Sequence, residues 1–168
     1  MTQKTERQKD RVTKRRDYEH QNIFALLPAT YSSCRSQALQ FLRLAGDLSV
    51  VEWRTLWDLH ETGPATVSDL AEIQRIDHSI LSRALPDMRR KGYVTTKQNA
   101  TDKRETIVAI AAAGRDKFNQ AAPVMQKRWE ALRAAFTPED LAQFIDMLER
   151  LDKFFNLPLD EILPAGTV

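Results

Sequence analysis

Apolar residues recur three and four apart along most of the chain, and over one short stretch they alternate instead. Ile23, Leu27, Tyr31, Cys34, Ala38 and Phe41 set one stripe along a long first helix. Pro28 falls within its first turns and marks a kink or a later start. Ser49, followed three residues on by Glu52, is a capping box. It opens a second helix carrying Val50, Trp53, Leu56, Trp57 and His60, which Gly63-Pro64 ends. Thr66 or Val67 begins a short third helix, and Asp77 caps a fourth whose buried side is Ile80, Leu81, Ala84, Leu85 and Met88. Period two then takes over: residues 93–97 and 106–110 read as the strands of a hairpin around a polar tip at 98–104. A fifth helix covers about residues 112–136, bent at Pro123. Thr137-Pro138-Glu139-Asp140 starts the last helix with a cap, a proline at the first position and acids at the positive end of the dipole. That helix carries Leu141, Phe144, Ile145, Leu148, Leu151, Phe154 and Phe155.

These elements make a mainly α fold with a small β-hairpin wing. Two short helices followed by a hairpin with a basic tip are the order of a winged helix-turn-helix, placed here over residues 49–111. Residues 21–48 and 112–156 are terminal helices with more apolar face than one small reader can bury. Two copies burying those faces against each other would form an isologous dimer, so 21–48 and 112–156 are read as dimerisation helices. The alternative is a monomer whose terminal helices fold back on each other. Residues 1–20 lack apolar periodicity and read as a flexible basic arm, and residues 157–168 as a C-terminal tail.

Charge sharpens the picture. The net charge is only +2, but residues 1–20 carry seven basic and four acidic groups, and residues 66–104 carry eight and five. Residues 105–168 carry seven and ten, so positive charge gathers on the arm and the reader, where phosphates would be met. No apolar run approaches the roughly 20 residues that span a bilayer. Met1 to Glu19 is charged throughout, unlike a signal peptide, and a single cysteine suits a reducing compartment, so the expectation is a cytoplasmic protein without a membrane partner. His20, His60 and His78 are scattered without ligand spacing, and none of the common phosphate-loop, zinc-hydrolase or nucleophile-elbow motifs occurs. Neither a cofactor, a metal nor an enzymatic activity is expected.

In a helix-turn-helix the N-terminal turns of the second helix face base edges in the major groove. Here those turns offer His78, Ser79, Ser82 and Arg83. Serine and histidine donate or accept, and arginine pairs bidentately with guanine. A serine and arginine mixture is equally ordinary on a solvated helix face. Pro86 is out of place, because an interior proline costs a helix roughly 3 kcal/mol; either the helix bends near Ser82 or its boundaries differ from those read here. At the wing, Asp102 and Arg104 lie two apart and point to one face. Arg104 is suited to a narrow minor groove, Asp102 to holding its guanidinium, and Lys103 to a phosphate.

Asp102-x-Arg104 followed by Ile110-Ala111-x-x-Gly114 resembles the wing signature of the MarR family of bacterial regulators. Leu48-Ser49 with Trp53-Arg54-Thr55-Leu56 resembles that family's second helix, Thr66-Val67-Ser68-Asp69-Leu70-Ala71 its third, and Arg90-Lys91-Gly92-Tyr93-Val94 the approach to its wing. The resemblance runs from about residue 23 to 155. It implies a homodimer of winged helix-turn-helix subunits, usually a repressor on a pseudo-palindromic operator in double-stranded DNA, with Thr66 and Ser68 joining the DNA contacts. It also implies control by a small effector, often an aromatic acid, bound between the dimerisation helices and the reader. Tyr31, Arg35, Trp53, Trp57 and His60 are the candidate lining, although Tyr31 and both tryptophans would serve equally as core. Ala111 departs from the threonine usual at the start of the fifth helix, and Pro86 from the usual helix former.

Two other readings compete. Some relatives in this family respond to peroxides through a cysteine near the start of the first helix. Cys34 lies further along, on the apolar stripe, where a buried cysteine is expected instead. The fold also serves as a protein-interaction module that binds no DNA.

Overall fold

The computed structural model describes residues 10–16 and 22–163. Its elements are α1 (Ile23–Leu44), α2 (Val50–Thr62), β1 (Ala65–Thr66), α3 (Val67–Gln74), α4 (His78–Arg90), β2 (Val94–Gln98), β3 (Thr106–Ile110), α5 (Ala112–Ala134), α6 (Pro138–Phe155) and α7 (Leu159–Ile162). The chain divides into two units, residues 1–125 and 126–168. The described part of the arm expected to be flexible, residues 10–16, is helical. The rest of that arm and residues 164–168 of the expected tail lie outside the described residues, and the remainder of the tail includes α7.

Local chemistry sets the helix starts. Ser49 Oγ accepts from the Glu52 N–H at 3.2 Å while the Ser49 N–H donates to the Glu52 carboxylate at 2.7 Å. The same reciprocal box is built by Thr66 with Asp69 and by Thr137 with Asp140. Each satisfies N–H groups that the helix itself leaves without acceptors. Asp77 Oδ1 caps α4 by accepting from the Ser79 N–H at 2.7 Å. Between α3 and α4 the chain turns through Arg75 in the left-handed region (φ 50°), with the Ile76 N–H donating back to Ala71 O at 3.1 Å.

In the first unit these elements close on one core. Leu42, Leu56, Leu59, Leu70, Leu81, Met88 and Val108 are fully enclosed, and Phe118 of α5 joins them. The sheet is antiparallel with order β1-β3-β2. Val94 faces Ile110 and Gln98 faces Thr106 in the wing, while Ala65 and Thr66 pair with Val108 and Ile107. The hairpin was anticipated, but β1 was not. At the root of the wing, a Cβ on Gly114 would stand 2.0 Å from Tyr93 O, so only glycine admits this approach of α5 to the chain entering β2.

Some expectations give way here. Ile80, assigned to the core, is 38% exposed; the buried face of α4 runs through Leu81, Leu85 and Met88, and Ile80 lies off that row. Cys34 is exposed rather than buried. In α1 burial is confined to the C-terminal half, where Ala38 and Leu42 are buried and Phe41 packs against the core. Pro86 neither ends nor splits α4, which runs through to Arg90. In the second unit, α6 has its stripe as anticipated, but none of its residues is buried and Phe144, Ile145, Leu148 and Phe154 stand exposed. No helix among the described residues is long and apolar enough to cross a membrane.

Candidate nucleic-acid interface

Three elements converge beside the wing. The start of α3, one face of α4 and the wing strands enclose a cleft of about 300 Å³. Thr66, Val67 and Ser68 line it from α3 and its cap; His78, Ser82, Leu85, Pro86 and Arg89 from α4; and Thr96, Arg104, Glu105 and Thr106 from the wing. The α4 members recur at three- and four-residue spacing, which places them on one face of the helix. Of the nine residues expected to meet DNA, the cleft gathers Thr66, Ser68, His78, Ser82 and Arg104. Ser79, Arg83, Asp102 and Lys103 are exposed nearby in sequence but do not line it.

Two of those four are engaged with their own backbone. The Arg83 guanidinium folds back on the first turn of α4, with Nε donating to Ser79 O and Nη2 to Ser79 Oγ, both at 2.9 Å. Asp102 Oδ1 accepts from the backbone N–H of Arg104 at 2.9 Å. The carboxylate therefore shapes the turn instead of clasping the Arg104 side chain, as an Asx turn does. The tip is tied further by Asn99, whose Nδ2 donates to Glu105 at 2.6 Å and whose Oδ1 accepts from Thr101.

Arg89 is a cleft residue that sequence reasoning missed. The run Arg89-Arg90-Lys91 looks uniform, but Asp87 sorts it. Arg90 pairs with Asp87, and Lys91 Nζ sits 2.7 Å from Asp87 and 2.8 Å from Glu52. These carboxylates hold the Lys91 ammonium well above its usual range, and Asp87 is lowered in turn by Lys91 and Arg90. Arg89 points into the cleft with Arg104. The spacing Asp87–Lys91, one helical turn, is the signal that could have told the three apart.

The Glu52–Lys91 pair also anchors α4. Burial raises the Glu52 carboxyl, but hydrogen bonds from Lys91 and from the backbone and hydroxyl of Ser49 outweigh it and leave it below its usual value. The pair joins α2 to the C-terminal end of the recognition helix across 39 residues of sequence.

The five candidate effector residues lie outside this cleft. Trp53 is 5% exposed, stacked on Phe118 at 5.6 Å and set edge-on to Trp57 at 5.3 Å. His60 stacks on the same Phe118 at 4.1 Å. Tyr31, 66% exposed, and Arg35 stand on the exposed half of α1. The structure thus sets Trp53 and His60 on one phenyl ring, with Trp57 edge-on to Trp53. No cluster of three metal-ligating side chains occurs among the described residues.

Known proteins share this fold. The model of the MarR family matches residues 48–106, which hold α2 to the start of β3. An HTH-type transcriptional regulator of Bacillus subtilis, YxaD, is 26% identical over 66% of this chain and 77% of its own length. The HTH-type transcriptional repressor IacR of Pseudomonas putida is 27% identical over 66% of this chain, and the match spans 65% of that repressor. Among solved structures, the Mycobacterium tuberculosis transcriptional regulator MOSR, crystallised in complex with DNA, superposes with a TM-score of 0.67 at 22% identity. That superposition covers 80% of this chain and 98% of the regulator, and establishes the shared fold. With its capped α2 and α3, helix α4, paired wing and glycine-tight wing root, the segment 48–106 matches the MarR family as a winged helix-turn-helix domain.

Proposed function

We propose that this regulator binds double-stranded DNA sequence-specifically, as a homodimer on a pseudo-palindromic operator, and represses transcription until a small effector binds. The observation that carries the reading is the cleft, where Arg104 of the wing, Arg89 and Ser82 of α4, and Thr66 and Ser68 at the α3 start face one space. Two cations there suit phosphates, and hydroxyl groups suit phosphates or base edges. The repressor IacR supports the sign of regulation.

The uncovered apolar stripe of α6 and the exposed N-terminal half of α1 support a second copy as partner. A two-fold would set two α4 helices roughly 34 Å apart, one turn of DNA. The effector class is an aromatic carboxylate, with Arg35 as its counter-ion and Tyr31, Trp53, Trp57 and His60 as the wall. Of these, Tyr31, Arg35, Trp57 and His60 are exposed and open to a ligand, while Trp53 is buried. A second reading, control by oxidation at Cys34, is favoured by that residue's exposure; a Cys34→Ser protein that still releases DNA on peroxide treatment removes it.

The test is selection of bound fragments from sheared source-genome DNA, with Arg104→Ala as control. One enriched pseudo-palindrome, weakened at least ten-fold in the variant and steeply salt-dependent, supports the reading. Binding that ignores salt and Arg104, or a protein partner without DNA enrichment, overturns it.

A further inference from the structure

His78 opens α4 and lines the same cleft as Arg89 of that helix and Arg104 of the wing. It is exposed, and among the described residues no group is hydrogen-bonded to its ring. The charged groups around it are otherwise committed or permanently cationic. On α4, Asp77 caps the helix, and hydrogen bonds from the Ser79 side chain and backbone hold its carboxyl below the usual range, with smaller electrostatic help from Arg83 and His78. Arg83 itself is folded onto Ser79. From the wing come Arg104 and Glu105, whose carboxylate accepts from Asn99 Nδ2 at 2.6 Å. The start of α3 brings Thr66, Val67 and Ser68, none of which titrates. The two guanidiniums never lose their charge. Histidine is the cleft residue whose charge ordinarily changes between about pH 5 and 8.

We infer that His78 is a proton-linked DNA contact: a backbone phosphate seated in the cleft with Arg89 and Arg104 draws a proton onto its imidazole, so operator binding tightens as pH falls. The inference rests on the DNA-binding reading above. A sphere with the volume of the cleft is about 8 Å across, so a phosphate inside it lies within the roughly 10 Å screening length of 0.1 M salt from all three basic groups. The imidazolium attracts that phosphate and can donate from either ring nitrogen. The neutral ring carries no charge and keeps one nitrogen as an acceptor, which a phosphate oxygen cannot use. The DNA-bound state therefore holds more protons than the free protein, and its stability grows as pH drops through the histidine range.

The experiment uses the full chain and the motif it selects, with affinity measured over a range of salt at about pH 6 and about pH 8. The wild type is expected to bind about ten-fold tighter at the lower pH. Its salt slope should be steeper there by about one phosphate contact per half-site. His78→Gln, a hydrogen-bonding side chain without charge, is expected to bind at both values as the wild type does at the higher one. His78→Lys, charged throughout, is expected to bind at both as the wild type does at the lower one. Each variant should change less than about two-fold between the two conditions, and circular dichroism checks their folding. A pH dependence that survives in both variants, or a wild type whose affinity is flat, overturns the inference while leaving DNA binding intact. A wild type that selects no motif at either pH removes the DNA-binding reading itself, and this inference with it.

Discussion

The recognition helix α4 and the C-terminal helix α6 start with comparable local signals and end in opposite states. Both are capped by a side chain at the N-cap, and both carry a strong apolar stripe. In α4 that stripe is spent: Leu81, Leu85 and Met88 are buried against α2, α3 and the wing. In α6 no residue is buried. Caps and dipole-matched acids decide where a helix begins, but most helical stability in proteins comes from burying an amphipathic face. The contrast locates the part of the molecule that is complete within one chain and the part whose apolar face is uncovered.

Truncation breaks or sharpens that contrast most directly. Leu81→Ala, at a fully enclosed site of α4, is expected to cost about 2–5 kcal/mol in urea unfolding. Phe144→Ala on α6 is expected to cost less than about 0.5 kcal/mol at the lowest protein concentrations and to weaken self-association instead, read by sedimentation. Equal costs at both sites, independent of concentration, would erase the distinction.

Gly114→Ala comes next. Its Cβ meets a backbone oxygen rather than a flexible side chain, so the wing root must shift, at about 1–3 kcal/mol. A variant as stable as the wild type would mean that α5 is not held against Tyr93.

Lys91→Met removes the partner of the buried Glu52. Because Lys91 is itself more than a third exposed, the loss is discounted to about 1–2 kcal/mol. Its pH dependence has a definite sign. Burial raises Glu52, but Lys91 and Ser49 hold it below 4.5, so the folded state binds fewer protons than the unfolded. The stability it brings is full above about that value and is lost as pH falls through the lower folded value. The acid limb of wild-type stability should therefore be steeper than that of Lys91→Met, and parallel limbs would rule out the pair as its source.

The smallest effect is Thr137→Ala, about 1 kcal/mol of helix stability through the lost cap. It should appear in hydrogen exchange of α6 and leave the exchange of α4 unchanged.

The fold was largely legible because its signals are local. Ser49-x-x-Glu52, Thr137-Pro138 and the alternation at 106–110 each name an element from a few adjacent residues. What stayed hidden depends on distant partners. β1 is two residues long, too short for any periodicity, and exists only because Val108 and Ile107 lie opposite. Cys34 and Ile80 sit on apolar stripes, and a stripe states a preference for cover without saying whether cover is there. At the candidate interface, Thr66, Ser68, His78, Ser82 and Arg104 were legible from their elements, but Arg89 was not. Asp87 takes two of three neighbouring cations, and that sorting is a matter of helix faces and of Glu52, remote in sequence.

The two-residue strand β1 has a mechanical consequence. Ala65 and Thr66 are hydrogen-bonded to β3, and Thr66 is at once the cap of α3. A push on the wing is therefore delivered through β3 straight to the base of the helix-turn-helix. Wing and helix pair are thereby coupled through β3, and only the turn between Asn99 and Glu105 lies beyond the last cross-strand hydrogen bond.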